Sequence, residues 1–318
     1  NVWALGQENN VIVCATDWSG LAEDDVPTAI QALIDISKFP ALADRMQQGF
    51  LNFMYLGRLM HTTALQGGMA KEAGFGDVID TTHVAYYGNS QGGIMGGALT
   101  ALSPDMTRTS LYVGAMNYST LLPRSVDFDD FKPVVYGLGY PDTMEQPLIL
   151  ALLQMLWDRG EPNGYAHHMT TDPLPNTPPH HVLLEMALGD HQVSNVAFLV
   201  EARTIGAKIR TNQTIAPQRI AESGAPDLFW GVPTIDSSAL PTTDNGMAVW
   251  DIGPLRPKPG GGQTGVPMPP MTNVAPSDAG QDPHDYVIDN SPAIRKQISD
   301  WIRAGGQFNE AAPRIAGD

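Results

Sequence analysis

The stretch Thr82-His83-Val84-Ala85-Tyr86-Tyr87-Gly88-Asn89-Ser90-Gln91-Gly92-Gly93 decides the fold class of this chain. Its first half is β-branched and aromatic, which favours a strand, and a helical pattern follows its second half. The centre fits G-x-S-x-G, in which small residues on either side of the serine let a sharp strand-to-helix turn close. We therefore predict that Ser90 is a nucleophile raised above the sheet edge; the alternative is a glycine-rich turn that carries a serine by chance.

Four further apolar runs predict additional strands, at residues 11–16, 111–116, 182–188 and 246–252. Because the run at 11–16 is apolar at nearly every position, we expect it to be buried on both faces of a parallel sheet. Helical spacing of apolar residues predicts helices at 26–36, 46–60, 146–157 and 293–304. Strands that alternate with helices indicate an α/β fold with a mostly parallel sheet and helices on both faces.

The domain organisation follows from where this alternation is interrupted. Residues 119–180 are irregular and rich in proline and aromatic residues, so we predict an inserted cap there. Residues 1–118 and 181–318 then form the α/β core. A stretch rich in glycine and proline, at about 254–283, predicts a long loop before the last helix.

Composition narrows the possible partners of the chain. Its 318 residues carry 18 Lys and Arg against 34 Asp and Glu, a net charge of −16 that disfavours nucleic acid and anionic lipid. The single cysteine, Cys14, excludes an intrachain disulfide and a cysteine-rich metal site. This balance fits a secreted bacterial protein as well as a cytoplasmic one, so the sequence leaves the localisation open.

A serine nucleophile needs a base and an acid that orients the base. Asp190 follows the predicted strand at 182–188, and His284 follows the fifth predicted strand and the long loop. Chain order Ser, Asp, His is the order expected in a doubly wound hydrolase. We predict Asp190 as the acid and His284 as the base; the alternatives are a helix N-cap for Asp190 and a surface loop residue for His284.

Other histidines and carboxylates offer weaker signals. The pairs His167-His168 and His180-His181 could bind a metal ion, but adjacent residues rarely reach one ion together, so we expect no metal site and no cofactor. Asp127 and its acidic neighbours lack the spacing of a calcium loop and predict a solvated turn.

Four segments together resemble the α/β-hydrolase superfamily of serine esterases and lipases. They are GNSQGG with Ser90, LLEMALGDHQV with Asp190, GQDPHDYVID with His284, and NVIVCATDWSG, which is similar to the strand and turn before the nucleophile strand. The resemblance implies a carboxylic ester hydrolase that forms an acyl-enzyme. Its substrate would be a small-molecule, lipid or polyester ester, and the backbone N–H of Gln91 would be one oxyanion donor. Thioesterase, amidase, peptidase and acyltransferase chemistry stay open, as does a non-catalytic binding protein.

We also expect particular residues to line the substrate site. His191 beside the predicted acid, Trp18 in the turn after residues 11–16, and Tyr118 at the edge of the cap are the candidates. Aromatic residues of the cap could wall an acyl pocket or simply pack the cap on the sheet. They are Phe128, Phe131, Tyr136, Tyr140 and Trp157.

One departure from the superfamily pattern concerns the amino-terminal region. Members usually have about three strands before the run at 11–16, whereas about ten residues precede it here, and the second oxyanion donor is not visible. We expect either that a missing N-terminal segment or a second chain completes the sheet, or that the Trp18-Ser19 turn supplies that donor. The first case predicts an unpaired sheet edge, weak activity and poor solubility.

Overall fold

The computed structural model describes residues 2–61, 71, 74, 79–211, 215, 217–224 and 227–309. Within these residues six strands form one sheet in which every pairing is parallel, in the order β1-β2-β3-β6-β4-β5. The strands are β1 Tyr86–Asn89, β2 Arg108–Tyr112, β3 His181–Ala187, β4 Lys208–Arg210, β5 Thr234–Ile235 and β6 Gly246–Trp250. The predicted parallel α/β sheet is confirmed.

Helices cover both faces of this sheet. They are α1 Val2–Asn9, α2 Val26–Ile34, α3 Phe39–Met60, α4 Gln91–Leu102, α5 Tyr118–Leu121, α6 Gln146–Trp157, α7 Ala166–Thr170, α8 Asn195–Ile205, α9 Pro217–Glu222, α10 Pro283–Asn290 and α11 Pro292–Ile302. Helices α3, α4, α6 and α8 contribute to the core on one face, and α1, α10 and α11 to the core on the other. Leu183 and Leu184 are both fully buried although they point to opposite faces, which is why the central strands are apolar at successive positions.

Glycines let helix α4 approach the sheet closely. A Cβ atom added to Gly93 would lie 2.7 Å from the carbonyl oxygen of Tyr112, and one added to Gly96 would lie 2.3 Å from the ring of Tyr86. These distances are shorter than any real Cβ contact, so the backbone of α4 lies against β1 and β2 because these side chains are absent.

The predicted strand at 11–16 is wrong. These residues form no strand and are largely exposed: Ile12 is 54% and Val13 is 44% accessible. The N–H of Val11 donates to the carbonyl of Gly6 in α1, and no described strand pairs with the run. An apolar β-branched sequence forms a strand only where a neighbour completes the ladder of hydrogen bonds.

The other strands differ from the predictions mainly at their ends. Strand β1 begins four residues later than predicted and includes Gly88 and Asn89, and β2 ends at Tyr112 because Val113 has φ +42° and turns the chain. Strands β4 and β5 and helix α8 were not predicted. Inside the predicted long loop, β7 Arg256–Pro257 and β8 Gln263–Thr264 pair in an antiparallel hairpin.

Strand β1 forms one edge of the sheet, and the described residues give it a partner on the β2 side alone. The expectation that a further segment or a second chain completes the sheet there stays a prediction. Helix α1 lies elsewhere, against α11, where Glu8 pairs with Arg295 at 2.7 Å.

Residues 119–180 connect β2 to β3 and contain α6, α7 and several short helical turns. Phe128, Leu153 and Trp157 from this segment are buried in the same core as the α4 face of the sheet. Its assignment as a separate cap stays a prediction. Among the described residues, no helix has the length and apolar character needed to cross a membrane.

Candidate active site

Ser90 occupies a strained turn between β1 and α4. Its backbone has φ +56° and ψ −122°, a conformation that non-glycine residues rarely adopt and that is found mostly at functional positions. The N–H of Ser90 donates to the carbonyl of Tyr112 at the end of β2, at 3.1 Å. The turn is therefore fixed to the neighbouring strand, and it presents the serine at the carboxyl edge of the parallel sheet.

The two glycines of the G-x-S-x-G motif are not equivalent. A Cβ atom added to Gly88 would lie 2.1 Å from the carbonyl oxygen of Gly92, so the turn cannot close around a larger residue there. A Cβ atom on Gly92 would make only ordinary contacts, at 3.5 Å from the hydroxyl of Tyr86 and 3.9 Å from the indole nitrogen of Trp18. The expectation that small residues are needed on both sides is correct for Gly88, whereas after the serine the steric limit falls on Gly93.

The fold brings the three predicted catalytic residues together, although they are up to 194 residues apart in sequence. The Oγ of Ser90 lies 2.7 Å from Nε2 of His284, and Nδ1 of His284 lies 2.8 and 3.0 Å from the two carboxylate oxygens of Asp190. Asp190 and His284 are each 1% exposed. Ser90, His284 and Asp190 thus form a continuous hydrogen-bonded chain that ends at the serine hydroxyl.

The hydrogen-bonding groups of Asp190 and Ser90 determine which ring nitrogen of His284 carries the proton. An ionised carboxylate only accepts hydrogen bonds, so Nδ1 of His284 carries a proton toward Asp190, and Nε2 of the neutral ring accepts from the Ser90 hydroxyl. Burial alone would lower the pKa of His284, but the carboxylates of Asp190, Asp285 and Asp282 outweigh it and raise that pKa above 6.5. The ring therefore accepts a proton readily, as a general base for serine must.

Asp190 is held by its own loop as well as by His284. Its Oδ1 accepts from the N–H groups of Gln192 and Val193, each at 2.9 Å. Gly189 has φ +84°, and a Cβ atom there would lie 2.7 Å from the carbonyl of Pro267. The alternative that Asp190 is a helix N-cap is wrong, because α8 begins at Asn195 with Ser194 as its N-cap, and the carboxylate of Asp190 binds the loop N–H groups and the histidine instead.

Sequence reasoning missed two residues that hold His284. The hydroxyl of Tyr112 donates to the backbone carbonyl of His284 at 2.6 Å, and Asp282 accepts from the N–H of His284 at 3.0 Å. Asp282 precedes Pro283 at the start of α10, and an acidic residue followed by proline is a recognisable helix-start signal. That signal also places His284 in the first turn of a helix, and the alternative of a surface loop residue is wrong, because His284 is buried.

Backbone N–H groups at the start of α4 are the candidate oxyanion donors. Gln91 is the first residue of the helix, so its N–H has no carbonyl partner within the helix. In the Trp18-Ser19 turn, the N–H of Ser19 donates to the carbonyl of Asp17 at 3.0 Å, and that of Gly20 donates to Asp25 at 2.5 Å. Because both N–H groups already have local partners, neither is assigned as the second oxyanion donor.

The three predicted substrate-contact residues lie in different surroundings. Trp18 stacks on Phe53, with ring centroids 4.0 Å apart, and its indole nitrogen lies near Gly92 in the first turn of α4. His191 is 6% exposed, and its Nε2 has no hydrogen-bond partner among the described residues. Tyr118 is 8% exposed and stacks on Trp157 at 4.5 Å.

The aromatic residues of the 119–180 segment mostly pack against one another and against the core. Phe128 contacts Tyr136 edge-to-face, Trp157 contacts Phe39, and the hydroxyl of Tyr140 accepts from the N–H of Ile36. Tyr136 also lines a cavity of about 320 Å³. That cavity lies between this segment and residues 273–275, and Ser90 is not among its lining residues.

Three side chains that could hold a metal ion together lie outside the hydrogen-bonded group of Ser90, His284 and Asp190. Side-chain donor atoms of His167, His168 and Asp172 are all within 4.8 Å of one another, and the two imidazole rings are 3.8 Å apart. Helix α7 ends beside His180, just before β3, so this group is near the amino edge of the sheet. Nδ1 of His168 lies 2.6 Å from the carbonyl oxygen of Asp172, so that nitrogen already has a partner. Adjacent histidines are an uncommon ligand pair, and the expectation of no metal site stays a prediction.

Comparison with known proteins yields no match for this chain among protein-family models, among curated proteins or among solved structures.

Proposed function

We propose that this chain is a serine hydrolase of the α/β-hydrolase type that cleaves carboxylic esters. The observation that carries the proposal is the hydrogen-bonded chain from Ser90 Oγ through His284 to Asp190 at the carboxyl edge of a parallel sheet. The strained backbone of Ser90 and the helix that starts directly after it support the same assignment.

In the proposed reaction Ser90 attacks the ester carbonyl carbon while His284 takes the hydroxyl proton on Nε2. The carbonyl oxygen becomes an oxyanion and is stabilised by the N–H of Gln91 at the start of α4. His284 then gives the proton to the leaving alcohol, and the acyl group stays on Ser90. Water, deprotonated by His284, attacks this acyl-enzyme; the bond from the acyl carbon to Ser90 Oγ then breaks, His284 returns the proton to Oγ, and the acid leaves. Asp190 keeps the ring oriented and stabilises its charged form throughout.

The test is covalent labelling followed by a substrate panel. A fluorophosphonate probe should label the wild-type chain, and Ser90→Ala should abolish the label. Labelling that survives this substitution would show that Ser90 is not the nucleophile. A panel of p-nitrophenyl esters, thioesters and anilides would then separate esterase from thioesterase and amidase or peptidase activity, and added alcohol acceptors would reveal acyl transfer.

A non-catalytic binding protein is the alternative from a different class. A protein that only binds ligands has no need for a polarised serine, so the absence of both labelling and turnover in the folded wild-type chain would favour that alternative.

Trp18, His191 and Tyr118 remain candidate substrate contacts under the proposal. Substitution of each should change KM for the preferred ester more than it changes kcat.

A further inference from the structure

Asp282 connects the two segments that supply the acid and the base. Its Oδ1 accepts from the N–H of His284 at 3.0 Å and from the N–H of His191 at 3.3 Å. Its Oδ2 accepts from the side-chain amide of Gln192 at 2.9 Å. One carboxylate therefore binds both α10, which carries His284, and the loop directly after Asp190.

These contacts bear directly on the geometry of the triad. Gln192 also donates its backbone N–H to Asp190, so Asp282 and Asp190 bind opposite parts of the same residue. The segments are about 90 residues apart in sequence, and the 2.8 Å contact between His284 and Asp190 depends on their relative placement. A hydrogen-bonded bridge from Asp282 restrains that placement more tightly than packing alone.

From these contacts we propose that Asp282 is a positioning residue. It holds the loop at residues 190–193 (the acid loop) and helix α10 in the relative placement that lets His284 bind Asp190 and Ser90 at the same time. This inference rests on the proposed hydrolase function. It goes beyond the triad because the described side-chain hydrogen bonds of Asp282 are to His191, Gln192 and His284, and none is to Ser90.

The charge of Asp282 acts together with its contacts. His284 faces the carboxylates of Asp190 from the acid loop and of Asp282 and Asp285 from its own helix, and it interacts electrostatically with Asp127 from the segment before β3. Ser90 Oγ and the Tyr112 hydroxyl, which binds the His284 carbonyl, are its uncharged polar neighbours. A test of positioning must therefore separate the loss of the bridge from the loss of a negative charge.

Three substitutions make that separation. Asp282→Asn removes the charge and keeps an acceptor oxygen for the helix, and its NH2 group can donate to Gln192 once the Gln192 amide turns its oxygen toward it. Asp282→Ser keeps a good N-cap for α10, but its side chain is too short to reach the acid loop. Asp285→Asn removes a charge near His284 and leaves the bridge intact.

The experiment measures kcat, KM and the pH profile on a p-nitrophenyl ester, together with an NMR titration of His284. We expect Asp282→Ser to lower kcat by roughly 10- to 100-fold with little change in KM, since small misplacement of a catalytic group is costly. Asp282→Asn and Asp285→Asn should keep plateau kcat within a few-fold and move the acid limb to lower pH. In the titration, His284 should have a lower pKa in Asp282→Ser than in Asp282→Asn, because the ring loses contact with Asp190.

Equal kcat and equal His284 pKa values in Asp282→Ser and Asp282→Asn would overturn the proposal and leave only a charge effect. If the wild-type chain neither turns over esters nor accepts a fluorophosphonate on Ser90, the hydrolase assignment fails. The NMR comparison still decides whether Asp282 positions His284 in that case, because it needs no turnover.

Discussion

At the scale of single residues, the contact between Asp190 and Nδ1 of His284 leads to the first prediction. Asp190→Asn should lower kcat by about 10⁴-fold, because an amide in place of the carboxylate favours the wrong histidine tautomer and removes the compensating charge. Asp285→Asn is the matched control, since Asp285 is adjacent in sequence but the ring of His284 binds Asp190. Steady-state kinetics on an ester would contradict the assignment if the Asp285 variant lost activity and the Asp190 variant kept it.

The raised pKa of His284 gives a second prediction at this scale. The base works only when it is neutral, so kcat/KM should fall as the pH drops through the pKa of His284. Because neighbouring carboxylates raise that pKa above its ordinary value of 6.5, the midpoint of the acid limb should lie above pH 6.5. A pH profile of kcat/KM measures it directly, and a midpoint well below 6.5 would mean that burial outweighs the carboxylates.

At the scale of secondary-structure elements, the turn between β1 and α4 has room for a methyl group at Gly92 but not at Gly88. Gly88→Ala would push a Cβ atom to 2.1 Å from the Gly92 carbonyl, so it should destabilise the fold by about 2 kcal/mol or more through backbone displacement. Gly92→Ala meets only ordinary contacts and sits in the first turn of α4, so it should be neutral or slightly stabilising.

Thermal or urea unfolding of both glycine variants beside wild type makes this comparison. Similar losses of stability in the two variants would show that the close approach of Gly88 to Gly92 is not what limits the turn. Activity is a separate readout here, because Gly92 lies next to the proposed oxyanion donor.

At the scale of the whole molecule, stability should depend on pH because burial raises the pKa of three glutamates, Glu161, Glu185 and Glu201. Glu201 and Glu161 are fully buried, and neither carboxylate oxygen of Glu201 has a hydrogen-bond partner among the described residues. Burial raises the pKa of Glu201 to about 8 and that of Glu161 to about 7, with the Glu161 charge adding to the effect on Glu201. The folded state thus retains a proton that the unfolded chain loses near pH 4.5.

The free energy of unfolding should therefore fall as the pH rises from about 4.5 to about 8, by up to about 1.4 kcal/mol per pH unit from Glu201. Glu201→Gln keeps the shape without a group that ionises, so the variant should gain stability relative to wild type across that window. Glu145→Gln, at an exposed glutamate, is the control, and it should show no gain in stability relative to wild type across that window. The prediction would be contradicted if the difference in free energy of unfolding between Glu201→Gln and wild type stayed the same at every pH.

The amino-acid sequence by itself determined the fold class and the identity of the triad candidates. Apolar runs that alternate with helical spacing reveal a parallel sheet, since burial on both faces forces apolar residues at successive strand positions. Ser90, Asp190 and His284 could be predicted because each follows its strand in the expected chain order, with a local signature in the first two cases. The central strand His181–Ala187 and the helix Gln146–Trp157 lie within a residue of their predicted positions for the same local reasons.

Only the tertiary structure decided the features that depend on what lies beside a segment. Residues 11–16 have the composition of a buried strand, but they are exposed because no described strand pairs with them, and pairing is a non-local property. Strands of two or three residues, such as Thr234–Ile235, are too short to carry a periodic signal. They form because a neighbouring strand pairs with them. Likewise, Tyr112 binds the carbonyl of His284 across 172 residues of chain and Asp282 binds the N–H of His191 across 91, and no local pattern encodes such contacts.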